Sequence, residues 1–335
     1  MNAVRDDIEF LSQTGKCRAW RYTPTAAADS PRRACIVMAH GLGGTRSAGL
    51  DPYARRFAAA GYSVLVFDYR HFGNSEGLPR QLVSIGGQLQ DWSAAIACAR
   101  SLPGVDPEKI VLWGSSFSGG YVVVAAARDA KVAAICAQCP MMDGLSATIN
   151  IMSYAGIGTA LKLVARGLHD VGRAALGLSP VHVALVAPPG QLATMSTADA
   201  EPGYRAIVQA DWRNEICARF ALVLALFRPI RFARRVHCPA LIQVCLRDSV
   251  APAQSAIKTA RRIGKLAELE QYDLGHFDIY IGEPFERACA AQLAFLGRVL
   301  EPSAPVRGPN VQASNQIAPL GHARPKPGLD WHEAR

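Results

Sequence analysis

Short apolar or alternating runs recur along the chain, and segments with helical spacing lie between most of them. Eight runs have the length and the β-branched content of strands: residues 7–11, 16–22, 34–39, 63–67, 109–113, 132–137, 240–245 and 268–272. The first two are close together and half polar, which predicts an antiparallel hairpin. The later six alternate with helical segments, which predicts parallel strands that are covered on both faces.

The helical segments between these runs end at recognisable stop signals, mostly Gly or Pro. They cover residues 52–60, 84–101, 117–128, 252–263 and 284–300. The alternation of strands and helices predicts an α/β fold with a doubly wound, mostly parallel eight-stranded sheet.

This alternation stops for about a hundred residues in the middle of the chain. Residues 140–236 contain helical patterns, a Pro188-Pro189-Gly190 break and no convincing strand; within them, residues 220–227 predict a buried helix. We interpret 140–236 as a helical cap inserted between the sixth and seventh strands of a core formed by 1–139 and 237–301. Residues 302–335 are rich in Pro and lack apolar periodicity, which predicts a poorly ordered tail without chemistry of its own.

The composition is that of a globular protein, with 50% apolar and 19% charged residues. The net charge of +9 has two interpretations, attraction of an anionic substrate such as a CoA or phosphopantetheine thioester, or solvated helix faces, and we favour the second. Because no continuous basic block or aromatic platform accompanies this charge, we expect no nucleic-acid partner. No apolar run has the length of a signal peptide or a membrane span, so we expect no membrane association.

Nine cysteines are scattered along the chain, and only Cys136 and Cys139 have C-x-x-C spacing. An odd number of isolated cysteines is typical of a reducing compartment, so we predict a cytoplasmic protein. The pair lacks the second C-x-x-C or the spaced His of a zinc site. We therefore predict no metal and no cofactor, and interpret the pair as small apolar residues that close a buried strand.

The candidate chemistry begins where the strand 109–113 runs into a turn of small residues. The sequence Gly114-Ser115-Ser116-Phe117-Ser118-Gly119-Gly120 then leads into a helix, which is the pattern of a nucleophile elbow with Ser116 as the nucleophile. Ser118 replaces the usual second Gly of G-x-S-x-G. A turn with packing roles only is the alternative interpretation of this segment.

A glycine-rich loop, residues 40–44 (His-Gly-Leu-Gly-Gly), follows the strand 34–39. Backbone N–H groups from such a loop and from the residue after the nucleophile stabilise an oxyanion, so we predict Leu42 and Phe117 as the two donors. His40 is more consistent with bracing of the loop than with catalysis.

An acid and a base follow the last two predicted strands. Asp248 follows the strand 240–245, and His276 follows the strand 268–272. We predict that His276 is the general base that activates Ser116 and that Asp248 orients its ring, since the order Ser, Asp, His is that of the α/β-hydrolases. Alternatively, Asp248 caps the next helix and His276 is a loop residue. Asp68 has the position of a turn-stabilising residue, and Asp143 is a weaker candidate for the acid.

Together these residues resemble the α/β-hydrolase superfamily over residues 7–300. The stretch from Asp68 to Gly77 resembles the superfamily segment D-x-R-x-x-G-x-S, although His71 stands where many relatives have Gly. The segment that begins at Gly275-His276-Phe277, together with Pro188-Pro189-Gly190 and Asp199-Ala-Glu-Pro-Gly203, resembles dienelactone-hydrolase-like and polyketide-transferase-like members.

The resemblance implies acyl transfer from an ester or thioester to Ser116, and then to water or to an alcohol. We therefore expect a serine esterase or thioesterase that acts on a small-molecule acyl ester or thioester. An acyltransferase that uses the same residues to acylate an alcohol or amine is the first alternative. A non-catalytic binding protein on the same scaffold is the second. Whether the chain forms a homo-oligomer stays an open question at this point.

Overall fold

The computed structural model describes residues 3–13, 15–25 and 32–300. Its strands are β1 Ala3–Ser12, β2 Gly15–Pro24, β3 Arg33–Ala39, β4 Ser63–Phe67, β5 Val105–Ser115, β6 Val132–Gln138, β7 His182–Val186, β8 Ala193–Met195, β9 Ile216–Cys217, β10 Ala240–Cys245 and β11 Ala267–Tyr272. Its α-helices are α1 Asp51–Ala59, α2 Ile85–Ser101, α3 Phe117–Arg128, α4 Gly144–Ala175, α5 Ala200–Ile207, α6 Ala253–Ile263 and α7 Gly282–Leu300.

Eight of these strands form one sheet in the order β1-β2-β4-β3-β5-β6-β10-β11. The pairings β1–β2 and β2–β4 are antiparallel, and all the others are parallel. The predicted fold class, including the N-terminal hairpin, is therefore confirmed. The central strands β3, β4 and β10 are buried at nearly every position, as expected of strands that helices cover on both faces.

The insertion (residues 140–236) differs from its prediction in two ways. It contains a small second sheet in the order β8-β7-β9, where we expected no strand. Its strands are two to five residues long, too short for the apolar pattern to distinguish them from buried loop. Residues 220–227, predicted as one buried helix, lie in two short 3₁₀-helices, Ala218–Leu222 and Leu224–Leu226.

The long helix α4 dominates the insertion and changes direction at one residue. Gly156 has a φ of 82°, which interrupts the helix between a segment near β6 and a second segment that ends at Ala175. Among the residues that the structure describes, no helix has both the length and the apolar character needed to cross a bilayer. The predicted tail 302–335 lies outside the described residues, and the predicted domain boundaries stay a prediction.

The C-x-x-C pair lies in the interior of the sheet. Cys136 is on β6, Cys139 follows the end of that strand, and both are buried free thiols. Within the described ranges, no group of three His, Cys, Asp or Glu side chains is arranged to hold a metal ion.

Candidate active site

The turn between β5 and α3 presents Ser116 in a conformation that L-residues rarely adopt. Its φ is 54° and its ψ is −119°. The turn is tight enough that a Cβ on Gly114 would lie 2.2 Å from the Ser118 carbonyl oxygen. Ser116 N–H donates to the Gln138 carbonyl at 2.9 Å, and the Ser116 carbonyl accepts from Met141 N–H at 2.9 Å. These contacts hold the hydroxyl above the edge of the sheet, the geometry of a nucleophile elbow.

The structure brings His276 and Asp248 to this hydroxyl. His276 Nε2 lies 3.1 Å from Ser116 Oγ, and His276 Nδ1 lies 2.6 Å from Asp248 Oδ2. The side chains of His276 and Asp248 are only 3% and 2% exposed. The second carboxylate oxygen of Asp248 accepts two backbone N–H bonds, from Val250 at 2.8 Å and Ala251 at 2.6 Å. The carboxylate is thereby fixed, so it can hold the imidazole in the orientation that receives the Ser116 proton.

The glycine loop passes directly over Ser116. A Cβ on Gly41 would lie 2.9 Å from Ser116 Cβ and 3.2 Å from Ser116 Oγ, so only glycine fits at this position. Leu42 and Phe117, the two predicted oxyanion donors, both line the apolar cavity that reaches Ser116. Phe117 is the first residue of α3, where backbone N–H groups have no partner within the helix.

Three consecutive carbonyls of this loop are held by side chains. His40 Nδ1 is 2.8 Å from the Gly41 oxygen, the Tyr204 hydroxyl donates to the Leu42 oxygen at 2.5 Å, and Trp212 Nε1 donates to the Gly43 oxygen at 2.9 Å. Because a peptide group is planar, fixing the Gly41 carbonyl also fixes the Leu42 N–H on its other side. Tyr204 and Trp212 come from the insertion and stack at 4.8 Å.

His40 contacts the glycine loop, as expected of a residue that braces it. Its ring is buried and lies edge-on to Tyr69. Burial lowers the pKa of His40 to about 4, although the Gly41 carbonyl opposes this shift. Since that carbonyl only accepts, the neutral ring carries its proton on Nδ1.

This buried histidine predicts a loss of stability in mild acid. The folded pKa lies below the unfolded value near 6.5, so the stabilisation is complete above pH 6.5 and is lost as the pH falls towards 4, by about 3 kcal/mol. In His40→Asn, an amide N–H can replace Nδ1–H and no group titrates. We expect urea unfolding to show a smaller difference between pH 7 and pH 4 in this variant, and an unchanged difference would contradict the assignment.

Ser118, which departs from G-x-S-x-G, connects α3 to the glycine loop. Its hydroxyl donates to the His40 carbonyl and lies 2.5 Å from the Tyr69 hydroxyl, which accepts from Trp92 Nε1 at 2.8 Å. The serine therefore completes a buried chain of hydrogen bonds that a glycine could not make. His71, the other departure, has a φ of 75°, a left-handed conformation in which Gly is the favoured residue.

The remaining candidate acids have other partners. Asp68 accepts from the backbone N–H groups of Arg46 at 2.6 Å and Asn74 at 3.4 Å, so its predicted role in stabilising a turn is confirmed. Asp143 pairs with Arg228 through two hydrogen bonds of 2.9 Å and caps α4. Burial raises the pKa of Asp68 to about 6, despite the nearby Arg46.

The segment Asp199–Gly203 of the insertion packs against the loops that carry the acid and the base. Asp199 accepts from the Ser249 hydroxyl at 2.7 Å, directly beside Asp248. A Cβ on Gly203 would lie 2.4 Å from the ring of Phe277, directly beside His276. The sequence pattern does not predict the role of Tyr204, since a single tyrosine in a helix does not indicate a contact 162 residues away.

Two small cavities meet at Ser116. One of about 20 Å³ is lined by His276, Leu42, Tyr204 and Tyr280, and the other, of about 30 Å³, is lined by Phe117, Met141, Ile151 and Leu224. A third, of about 50 Å³, shares Ile151, Thr194 and Leu224 with the second and extends under α4. A separate polar cavity of about 330 Å³ lies beside Gly43 and Trp212, and Ser116 is not part of its lining.

Comparisons with known proteins show which family and which proteins the chain is similar to. The family model described as serine aminopeptidase, S33, matches residues 30–279. The quorum-quenching protein AidA of Acinetobacter baumannii is 45% identical over 296 residues, 88% of this chain and 95% of that protein. The thiohydrolase aneE of Aspergillus aculeatus is 29% identical over 88% of this chain and 93% of its own length.

A solved structure gives the same fold. The α/β hydrolase GrgF of Penicillium sp. superposes with a TM-score of 0.76 at 23% identity, covering 88% of this chain and 99% of that chain. The polyketide transferase grgF of the same source is 31% identical over 140 residues, 42% of this chain and 46% of its own length.

Proposed function

Because the chain belongs to the α/β-hydrolase family described as serine aminopeptidase, S33, we propose that it is a serine hydrolase that cleaves a carboxylic ester or thioester. The observation that carries the proposal is the continuous line of contacts from Ser116 through His276 to Asp248, at 3.1 and 2.6 Å. A serine hydroxyl is a weak nucleophile, and this arrangement supplies the base that activates it.

In the first step, Ser116 Oγ attacks the acyl carbonyl carbon while His276 Nε2 takes the hydroxyl proton. Asp248 stabilises the resulting imidazolium through Nδ1–H. The carbonyl oxygen becomes an oxyanion, for which Leu42 and Phe117 N–H are the donors in this proposal. Collapse of the intermediate breaks the bond to the leaving group, which receives the proton from His276. Water then attacks the acyl-enzyme by the same route and releases the acid.

The two cavities at Ser116 suggest where each part of the substrate binds. His276, which must protonate the leaving group, lines the first cavity, and the apolar second cavity lies on the side of Phe117. We therefore propose that the leaving group occupies the first cavity and the acyl chain occupies the second. The described residues that line these two cavities include no Asp or Glu that could bind the ammonium group of a peptide N-terminus, so we favour an ester or thioester over a peptide.

The relatives narrow the substrate class. A thiohydrolase supports a thioester, and the 45% identity to a quorum-quenching protein supports an ester-bearing bacterial signal as an alternative substrate. Transfer of the acyl group to an alcohol or amine is the close rival, supported by the similarity to a polyketide transferase. A non-catalytic binding protein would not need an ordered contact between His276 and Ser116.

The test is a series of p-nitrophenyl esters from acetate to decanoate, together with acyl-CoA thioesters and an acyl lactone. We expect kcat/KM to peak at an intermediate chain length, because the acyl cavity is closed by Ile151, Thr194 and Leu224. Leu224→Ala would join the second and third cavities and should move the peak to longer chains. An equal rate for all chain lengths in both proteins would contradict the assignment of the acyl cavity.

The same assay separates hydrolysis from transfer. With an added alcohol or amine, a hydrolase releases only the free acid, whereas an acyltransferase forms a new ester or amide in proportion to the acceptor. If no substrate turns over and a serine-reactive fluorophosphonate fails to label the protein, the binding-protein alternative replaces the proposal.

A further inference from the structure

Ser249, the residue that follows Asp248, is held by the insertion at both its side chain and its carbonyl. Its hydroxyl donates to the two carboxylate oxygens of Asp199 at 2.7 and 2.9 Å. Because that hydroxyl has only one proton to donate, it accepts from the Thr197 hydroxyl, 3.1 Å away. Its carbonyl accepts from the side-chain amide of Asn150, on α4, at 2.9 Å. The insertion therefore contacts the loop between β10 and α6 at the residue next to the proposed acid.

The contact of Asn150 reaches the Asp248 carboxylate through one peptide group. The Ser249 carbonyl and the Val250 N–H belong to the same peptide group, which resonance keeps planar. Val250 N–H donates to Asp248 Oδ1 at 2.8 Å, and the other carboxylate oxygen lies 2.6 Å from His276 Nδ1. A partner that fixes the carbonyl therefore also fixes the direction in which the N–H donates to the carboxylate.

The core keeps the loops of the proposed acid and base adjacent without this contact. Arg247 N–H, just before Asp248, donates to the Leu274 carbonyl at 3.0 Å. Ala251 N–H also keeps its own bond to the carboxylate, at 2.6 Å. Loss of the Asn150 contact would therefore change the direction of the carboxylate rather than its place. A small error of direction is enough to lower a rate, because catalysis depends on the alignment of the reacting groups.

The same contacts lie along the wall of the proposed acyl cavity. Val250 and Ile151, the residue after Asn150, both line the second cavity, and Ala147, about one helical turn earlier on α4, lines it as well. An acyl chain in this cavity would contact residues on both sides of the hydrogen bond from Asn150 to Ser249. This hydrogen bond therefore joins the substrate-binding part of the insertion to the loop that carries the acid.

We propose that Asn150 is a positioning residue, which orients the Asp248 carboxylate towards His276 by holding the Ser249–Val250 peptide group. This role rests on the proposed function, because it belongs to the same reaction. The alternative is that Asn150 only shapes the acyl cavity or ties α4 to the core. An amide suits the contact, because its N–H donates to a carbonyl and brings no charge into a partly buried site.

Asn150→Asp tests this role, because it keeps the size of the side chain and replaces the N–H donor with an oxygen that repels the Ser249 carbonyl. On the best p-nitrophenyl ester, kcat should fall about 10- to 100-fold, while KM and the preferred chain length stay as in the wild type. Asn150→Ala removes the donor without adding charge and favours helix, so it gives the same test if Asn150→Asp does not fold. The matched control is Ser153→Ala on the same helix, where the exposed hydroxyl donates to the Asn150 carbonyl at 2.7 Å, and it should keep the wild-type kcat.

A proton NMR signal gives a second measurement that needs no substrate. The proton between His276 Nδ1 and Asp248 Oδ2 lies in a short, charge-assisted hydrogen bond, which moves its signal far downfield while the proton is protected from exchange with water. The signal should be present in the wild type and in Ser153→Ala, and weakened or lost in both Asn150 variants. Its absence in His276→Gln identifies it.

Three results would overturn the role of Asn150. Both variants could keep the wild-type kcat and NMR signal, or they could raise KM and shift the preferred chain length at an unchanged kcat, which would mean that Asn150 shapes the acyl cavity. A wild type without the signal would leave no ordered hydrogen bond for Asn150 to maintain. If the wild type turns over no ester or thioester and is not labelled by a fluorophosphonate, the proposed function fails instead, and the NMR signal still reports whether Asn150 orients Asp248.

Discussion

Ser116→Ala is expected to lower kcat for a p-nitrophenyl ester by about 10⁴- to 10⁶-fold, because the acyl-enzyme can no longer form. The fold should persist, since the hydroxyl makes no cap bond to α3 and alanine meets the same constraint as serine at a φ of 54°. Initial rates on the best ester of the series measure the loss of kcat. Urea unfolding of both proteins measures whether the fold persists. A fluorophosphonate should add its mass to the wild type and not to the variant.

A neighbouring serine provides the matched control. Ser115 is buried beside Ser116, and its hydroxyl lies 2.5 Å from that of Tyr280. Ser115→Ala should keep kcat within about tenfold of the wild type, because it removes buried hydrogen bonds and leaves the proposed nucleophile in place. If Ser116→Ala retained more than a few per cent of the wild-type rate, another residue would have to be the nucleophile.

Asp170→Asn should cause the largest loss of stability among single substitutions in the insertion, about 3–5 kcal/mol. The Asp170 carboxylate is fully buried on α4 and accepts four hydrogen bonds. Arg219 provides three, from its backbone N–H at 2.9 Å and its guanidinium at 2.6 and 2.9 Å, and Val181 N–H provides the fourth at 2.8 Å. The introduced amide N–H group would face the N–H donors, and the partly exposed Arg219 guanidinium would lose its counterion.

The pH dependence of this loss follows from the same contacts. Burial alone would raise the pKa of Asp170, but the hydrogen bonds from Arg219 outweigh it and the pKa is lowered. The stabilisation is therefore complete above the unfolded value of 3.8 and is lost as the pH falls through the lower folded pKa. Urea unfolding at pH 7 should show the full difference between wild type and Asp170→Asn, and the difference should shrink in stronger acid.

An exposed ion pair of similar chemistry is the control. Glu283 and Arg287 are one helical turn apart on α7 and more than half exposed, so Glu283→Gln should change the free energy of unfolding by less than about 0.5 kcal/mol. If Asp170→Asn were equally mild, the insertion would be held by its apolar contacts rather than by this carboxylate. Limited proteolysis of the native protein would show whether the insertion opens before the core unfolds.

Local patterns were sufficient to predict the eight-stranded sheet and the residues that meet at Ser116. Each of these residues directly follows a strand, and parallel strands bring their carboxyl ends to the same edge of a sheet, so Asp248 and His276 had to lie near one another. The nucleophile elbow could also be predicted, because a turn that connects a strand to a helix through Gly114 and Ser116 can adopt few other conformations.

The contacts that hold the glycine loop could not be predicted in this way. Tyr204 and Trp212 reach Leu42 and Gly43 across more than 160 residues, and nothing in their own neighbourhood distinguishes them from other buried aromatic residues. The strands β7, β8 and β9 were missed for a related reason. They are stabilised by the packing of the insertion rather than by the intrinsic preference of two to five residues.

Because Tyr204 and Trp212 hold the glycine loop, the geometry of this loop depends in part on the insertion. Ser116, His276 and Asp248 all belong to the core and would stay together without the insertion. His40, which fixes the peptide group that carries the Leu42 N–H, also belongs to the core, whereas the next two carbonyls of the loop are held by the insertion. In the proposed mechanism, loosening of the insertion would therefore lower the rate by freeing the loop on one side of Leu42, and His40 would still hold the other side. Any change that loosens the insertion to admit a bulkier substrate would also loosen the contacts of Tyr204 and Trp212 with the glycine loop. A broader substrate range would therefore be accompanied by a lower rate.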